Sequence, residues 1–311
     1  MTVDVVIVTY NRLEKLKKTL QCYERQTKPF RNMIVVNNHS TDGTTEFLAE
    51  WAKLDAPFAK HVITTDENLG GSGGYYIGQK KAVELNPDWA FLADDDAYPE
   101  LQMMAHFYSF ASGHDISRFS AVCAKVNYIN GETNFKHRSR VQVRRNRFCD
   151  RIDSTASDYD QEFFTIDMLS YVGPFINMAA LRQVGTVNPK YFIYYDDSEH
   201  SLRLKKYGDL ICVPSILITH DEMPEVANHS SNLISWKDYY FYRNNTHMLI
   251  RHYPKVALHQ LKIAVKHKLQ HPQPRNDDEW MQRIAIKDAW LNKLGKHKTY
   301  VPGWDVTKRM R

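Results

Sequence analysis

The chain has 311 residues, 43% of them hydrophobic and 25% charged, which is enough to bury one large core or two small ones and excludes a disulfide miniprotein or a disordered polymer. Its net charge of +5 is uneven: from Arg251 onward there are 14 Lys and Arg against 5 Asp and Glu, a local +9, whereas residues 1–250 carry 27 against 31, net −4. An acidic-leaning body with a basic tail predicts two parts that meet different partners.

The first hundred residues alternate short apolar runs with helical periods. Val3–Thr9 has the length of a strand, and Leu13, Leu16, Leu20 and Tyr23 after it have the spacing of an amphipathic helix. Met33–Val36 is the next run. The turn signal Ser40-Thr41-Asp42-Gly43 then leads into a helix with Phe47, Leu48, Trp51 and Leu54 on one side. His61–Thr65 and Trp89–Ala93 complete four strands. This order predicts an α/β fold with a parallel, doubly wound sheet and ligands at the carboxyl ends of the strands. Those ends read Thr9-Tyr10-Asn11-Arg12, Asn37-Asn38-His39-Ser40-Thr41-Asp42, Asn68-Leu69-Gly70-Gly71-Ser72-Gly73-Gly74 and Asp94-Asp95-Asp96. One sheet edge thus collects hydrogen-bonding groups, glycines and carboxylates.

Between Ser117 and Val172 the pattern is strand-like, with Asn130-Gly131 as a hairpin turn. Arg138–Arg151 holds six arginines in fourteen residues, either a solvated hairpin or a phosphate or acceptor contact. From Ser235 three helices are expected, Trp236–His252, Lys255–Leu269 and Glu279–Leu294, with breaks at Pro254, Pro272 and Pro274. Within the first, Arg243 either belongs to the helix core or reaches toward substrate. Cys22, Cys123, Cys149 and Cys212 form no Cys-x-x-Cys pair, which offers neither a zinc knuckle nor a redox motif and suits a reducing compartment. Met1–Val5 lacks a basic leader, and no stretch of 18 apolar residues is free of charge, so the expectation is a chain that does not cross a membrane.

Four features carry chemistry. Three successive aspartates repel unless solvent or a cation screens them, and in extended backbone Asp94 and Asp96 address one side together. The plain alternative is an acidic helix cap before Pro99. The glycines from Gly70 to Gly74 can bring backbone N–H groups close to an anion, with Tyr75 opening a helix. The alternative there is a flexible turn. They fit neither the P-loop nor the dinucleotide spacing, which weakens ATPase and dehydrogenase readings. Tyr194-Tyr195-Asp196-Asp197-Ser198-Glu199-His200 is either an acidic helix start or a pocket in which aromatic residues raise a carboxylate pKa and orient a sugar. His220, at the end of the apolar run Ile216–Thr219, is either structural or the nitrogen donor of a mixed oxygen and nitrogen metal site.

In this order the segments Val-Ile-Val-Thr-Tyr-Asn-Arg, Val-Asn-Asn-His-Ser-Thr-Asp-Gly, Asn-Leu-Gly-Gly-Ser-Gly-Gly, Asp-Asp-Asp and Tyr-Asp-Asp-Ser-Glu-His resemble the inverting GT-A glycosyltransferases of family 2 over residues 3–220. The glycine segment and the Asp-Asp-Ser-Glu-His block look most like galactofuranosyltransferases, with bacterial rhamnosyltransferases next. The resemblance implies a GT-A catalytic domain over 1–234, with a nucleotide-sugar half (1–98) and an acceptor half (99–234), followed by a basic helical region over 235–311. It implies that Thr9, Tyr10, Arg12 and Asn37 line the base and ribose pocket. Asn68, Gly70 and Gly71 approach the diphosphate and donor sugar, with Asp94 and Asp95 also on the donor. By the same resemblance Asp94, Asp96 and His220 would hold Mn²⁺ or Mg²⁺, and Asp197, with Asp196 beside it, would be the general base. Many relatives have Asp where this chain has Asn37 or Asn38.

The donor implied first is UDP-galactofuranose, with dTDP-L-rhamnose as the alternative. The acceptor implied is a glycan, on a polyprenyl diphosphate carrier, in cell-surface polysaccharide synthesis. The location implied is cytoplasmic, peripheral on the inner face of the membrane, with the basic tail on anionic lipid or forming a contact in a homo-oligomer. A non-catalytic glycan-binding module would be expected to have a damaged carboxylate set, whereas Asp94, Asp96 and Asp197 are all present. A nucleic-acid binder would need a recognised motif and is disfavoured by the acidic body.

Overall fold

The computed structural model describes residues 1–224 and 234–304. Chain order begins β1 (Val3–Thr9), α1 (Leu13–Glu24), β2 (Asn32–Asn37), α2 (Thr44–Trp51), β3 (Ala59–Thr64), α3 (Gly70–Leu85) and β4 (Trp89–Asp94). β1 lies between β2 and β4, and β3 flanks β2, all in parallel register. The four strands and their crossover helices follow the apolar periods of the sequence. Val5 and Ile7 pack with Leu16 and Leu20 on one face of the sheet, while Val6 and Val8 pack with Tyr75 and Ala82 on the other. This alternation is the strand period of two, and each such buried aliphatic side chain contributes roughly 1.5–3 kcal/mol.

The chain continues through β5 (Ala97–Pro99), α4 (Met103–Gly113), β6 (Phe119–Asn127), β7 (Arg138–Arg144), β8 (Phe148–Asp153), β9 (Phe164–Ile166), β10 (Met168–Leu169), β11 (Pro174–Asn177), α5 (Met178–Val184), α6 (Asp196–Leu204) and β12 (Asp209–His220). These strands extend the sheet to the order β3-β2-β1-β4-β11-β6-β12-β5, with β9 also on β12. β11 runs antiparallel to both β4 and β6, while β6 and β12 are parallel to each other and β5 and β9 run antiparallel to β12. On the α4 face, Phe107 stacks on Phe175 with ring centroids 3.8 Å apart.

Two expectations are corrected here. The glycine run is no loop ahead of a helix: it is the first turn of α3, which begins at Gly70. The physical reason is close packing, because a Cβ at Gly74 or Gly78 would collide with Val8 or Val6 of β1. The arginine-rich segment forms the β7–β8 hairpin, part of a small sheet with β10, but Arg138 is not solvated. It is fully buried, and its guanidinium donates to the carbonyls of Ala124, His137 and Val172. Arg140 and Arg144 pair with Asp158 and Asp150.

The C-terminal helices are α7 (Trp236–His252), α8 (Pro254–Gln270) and α9 (Asp277–Trp290). Pro254, expected as a break, is the first residue of α8, where the missing N–H costs nothing. α7 starts on a capping box between Ser235 and Asp238. Of the basic tail, Lys308, Arg309 and Arg311 lie outside the described residues.

Candidate active site

At the carboxyl ends of β1 and β4 opens a cleft of about 920 Å³. One wall comes from the strand ends and the start of α3, the other from residues 192–198 and the start of α7. Parallel register with β1 sets Asp94 beside Val8, so Asp95 reaches the end of β1. Asp95 accepts from Thr9 Oγ1 at 2.7 Å and from the Tyr10 N–H at 3.3 Å. Burial pushes its pKa up to about 7, against the Thr9 hydrogen bond and the charge of Arg12.

Asp94, Asp96 and His220 come together, each with a ligand-capable atom within 4.8 Å of the others. The cause is the antiparallel pairing of β12 with β5, which sets His220 opposite Ala97, one residue beyond Asp96. His220 Nε2 lies 3.2 Å from Asp96 Oδ1, while Asp96 Oδ2 accepts from Arg12 at 2.6 Å and Lys15 at 3.3 Å. Burial would raise the Asp96 pKa, but His220, Arg12 and Lys15 hold it down at about 2. His220 is likewise lowered by burial and raised further by Asp96 and Asp94, ending at about 9. Asp94 Oδ1 accepts from Tyr75 Oη at 2.6 Å. Its pKa is raised by burial and by Asp96. Two carboxylates and one imidazole are a donor set that fits a divalent cation.

Facing this triad are the acids of α6. Asp196 and Asp197 occupy its first turn, after Tyr195 in left-handed backbone at φ +63°. Both pKa values are raised by burial. The neighbouring Asp197 pushes Asp196 well above the carboxylate range, whereas Arg151 opposes the rise at Asp197. Asp94 raises both, a sign that the two walls sense each other across the cleft.

Thr9, Tyr10, Arg12, Asn68, Gly70, Gly71, Asp94, Asp95, Asp196, Asp197 and His220 all line the cleft. Asn37 does not. It is fully buried, donating to Thr45 Oγ1 and accepting from the Ser40 N–H, and so fixes the turn after β2. Its neighbour Asn38 takes the place at the cleft, donating to Asn68 Oδ1 and the Gly70 carbonyl. Arg243 does not reach toward substrate either. It is buried against the carbonyls of Lys190, Tyr191 and Gly295, because α7 packs on the segment before α6. Sequence reasoning passed over Tyr75, Tyr171, Lys136, His137, Trp236, Lys237 and Phe241, which also line the cleft. Tyr75 was legible as the residue after the glycines, but nothing marks His137 in the sequence.

A sheet with a polar cleft at its strand ends, holding a carboxylate and imidazole triad opposite a carboxylate pair, is the layout of an α/β enzyme. The model of Glycosyl transferase family 2 matches residues 4–173, more than half of the chain, so the protein belongs to that family. Among curated proteins it is 26% identical to Galactofuranosyltransferase GlfT1 of Mycobacterium tuberculosis (strain ATCC 25618 / H37Rv) over 208 residues, 67% of this chain and 66% of that protein. The chain therefore spans just under two thirds of that relative's length. Among solved structures, S. aureus TarS 1-349 superposes with a TM-score of 0.59 at 12% identity, over 94% of this chain and 80% of that one. GalNAc-T7 with UDP, GalNAc and Mn²⁺ gives 0.58 at 17%, over 96% and 56%. The fold is GT-A with a C-terminal helical region.

Proposed function

We propose that this protein is a glycosyltransferase that moves galactofuranose from UDP-galactofuranose to a hydroxyl of a glycan acceptor, by single displacement with inversion. The observation that carries the reading is the meeting of two carboxylate groups at one cleft: Asp94 and His220 on one wall, with the buried Asp96 in contact with His220, and Asp196 and Asp197 on the other. Similarity to galactofuranosyltransferase GlfT1 supports the donor. Asp94, Asp96 and His220 would hold a divalent cation, Mn²⁺ or Mg²⁺, which supplies the positive charge that stabilises a departing diphosphate. Thr9, Tyr10, Arg12 and Asn38 receive the nucleoside. Asn68, Gly70 and Gly71 border the diphosphate and sugar. Asp95, tied to Thr9, fixes the shape of that wall.

On the opposite wall Asp196, with the more strongly raised pKa, keeps its proton and donates a hydrogen bond to a sugar hydroxyl. Asp197, favoured in its ionised form by Arg151, takes the proton of the acceptor hydroxyl as its oxygen bonds to the anomeric carbon and the bond to the diphosphate breaks. Tyr194 and Phe241, both partly exposed at the cleft mouth with rings 6.3 Å apart, offer apolar faces to the acceptor.

The acceptor class is a glycan of the cell envelope on a polyprenyl diphosphate carrier, and the protein works at the cytoplasmic face of the membrane. Supporting this, α8 exposes Leu258, Val265 and Leu269 on one side, with Lys255, Lys262 and Lys266 beside them. No described helix is long and apolar enough to cross a membrane. Flotation with vesicles with and without anionic lipid tests the membrane contact; equal recovery in both rejects it. A donor panel with Mn²⁺, read as nucleotide release and product linkage, tests the reaction. Turnover of UDP-galactofuranose is expected, and preference for dTDP-L-rhamnose or a hexopyranose donor overturns the donor assignment.

A further inference from the structure

Three residues at the cleft mouth, Phe192, Tyr194 and Tyr195, have φ of +69°, +65° and +63°. Bulky side chains rarely adopt this left-handed backbone, and it persists only where the surroundings impose it. None of the three is glycine, so the constraint comes from outside the segment. On one side stands the start of α3. A Cβ at Gly70 would collide with the Phe192 carbonyl, and the Ser72 N–H donates to that same carbonyl at 3.2 Å.

On the other side stand Arg243 and Asn244 of α7, both buried. Asn244 Nδ2 lies 2.9 Å from each of the carbonyls of Tyr191, Ile193 and Tyr194. Asn244 Oδ1 accepts from Arg243 Nε at 2.9 Å, and Arg243 Nη2 reaches the carbonyls of Lys190 and Tyr191 at 3.2 and 3.0 Å. A single amide with two hydrogens at the centre of three carbonyls can be served only if the backbone curls around it. That curl is the left-handed corner, and it runs directly into Asp196 and Asp197.

We propose that Arg243 and Asn244 are positioning residues of the transfer reaction: they hold the Phe192–Tyr195 corner and through it aim Asp196 and Asp197 into the cleft. The proposal rests on the reading of Asp197 as the base. It makes α7 part of the catalytic unit, although α7 lies beyond the matched family segment of 4–173. A buried guanidinium and amide are costly to desolvate. Here five of their seven hydrogen bonds go to the backbone carbonyls of residues 190–194, which is what fixing a geometry requires.

The test uses Asn244→Ala and Arg243→Lys in the full chain with three readouts: kcat for transfer, affinity for UDP with Mn²⁺ by calorimetry, and amide hydrogen exchange over residues 190–199. The expected result is a fall in kcat of about 10²-fold, the scale of an ångström-sized misplacement. UDP affinity stays within about twofold, because its wall belongs to other elements, and exchange quickens in that segment before the rest of the chain. Unchanged kcat and exchange in either folded variant overturns the proposal, as does a loss of UDP affinity parallel to that of kcat. Should Asn244→Ala fail to fold, Arg243→Lys, which keeps the charge and loses the fork, is read by the same criteria. If the wild-type protein transfers no sugar, the functional reading falls, while exchange in the variants still decides whether the pair holds the corner.

Discussion

Replacing Tyr75 by Phe removes one oxygen from the cleft and leaves the ring, which packs on Tyr171 with centroids 4.5 Å apart. The lost hydroxyl donates to Asp94 Oδ1 at 2.6 Å, a short bond to a charged acceptor, worth about 1.5–3 kcal/mol. The Asp94 pKa is already pushed up by burial and by Asp96, and the Tyr75 bond is one of the groups that restrain it. Without the bond, burial and Asp96 push that pKa up further. A divalent cation needs the ionised carboxylate, so proton and metal compete for Asp94. Where protons compete for Asp94 the variant should bind Mn²⁺ about 10–100-fold more weakly, the equivalent of the lost bond, and the deficit should shrink as pH rises and both proteins become ionised. Mn²⁺ titrations by calorimetry or EPR, with and without UDP, from about pH 6 to about pH 9 measure this. Equal affinities throughout, or a deficit that does not change with pH, would refute the reasoning.

Asp197→Asn should reduce transfer by about 10²–10⁴-fold and leave UDP and Mn²⁺ binding unchanged in calorimetry; full turnover by the variant removes Asp197 as the base. Asp95 has a folded pKa of about 7 against an ordinary 3.8. As pH climbs between those values the unfolded chain loses this proton while the folded one keeps it, so stability drops across that window. Asp95→Asn should therefore gain on the wild type by about 2–4 kcal/mol between about pH 4 and pH 8 in urea unfolding, and parallel curves contradict this. Gly78→Ala should destabilise by about 1–3 kcal/mol as its Cβ meets Val6, whereas Gly71→Ala, with nothing within 4 Å, should leave the urea midpoint in place or raise it. With a His220 pKa of about 9, Mn²⁺ binding near neutral pH should release a proton, seen as an enthalpy that varies with buffer ionisation.

How much of this was legible in the sequence depends on whether a feature is local. The strands Val3–Thr9 and Trp89–Asp94 were readable because burial on both faces selects continuous apolar runs, and the Asp-Asp-Asp cluster marked a strand end because carboxylates do not continue such a run. The helical start at Gly70 was not readable. Four glycines in five residues contradict helix propensity, and the requirement for small residues comes from tertiary contacts, Gly70 against the Phe192 carbonyl and Gly74 against Val8. The same holds for Arg138, whose carbonyl partners beyond its neighbour His137 are Ala124 of β6 and Val172 just ahead of β11. Asn37 and Asn38 were indistinguishable by type, and alternation along the strand end decided between them: one side chain turns into the turn, the next into the cleft.

The charge asymmetry of the sequence also acquires a physical meaning. Asp94, Asp95, Asp196 and Asp197 all have pKa values raised first by burial, so the cleft holds acids whose charge is suppressed. Asp96 alone of this group is held down, by His220, Arg12 and Lys15. Such a cleft is poised for a cation on the wall of Asp94 and Asp96, since a positive charge there relieves repulsion already present. It would also lower the pKa of Asp196 and Asp197, because Asp94 is one source of their elevation. On the proposed assignment of Asp197 as the base, a cation bound on that wall would favour its ionisation, an effect that follows from placing two carboxylate groups within reach of each other's field rather than from any single residue.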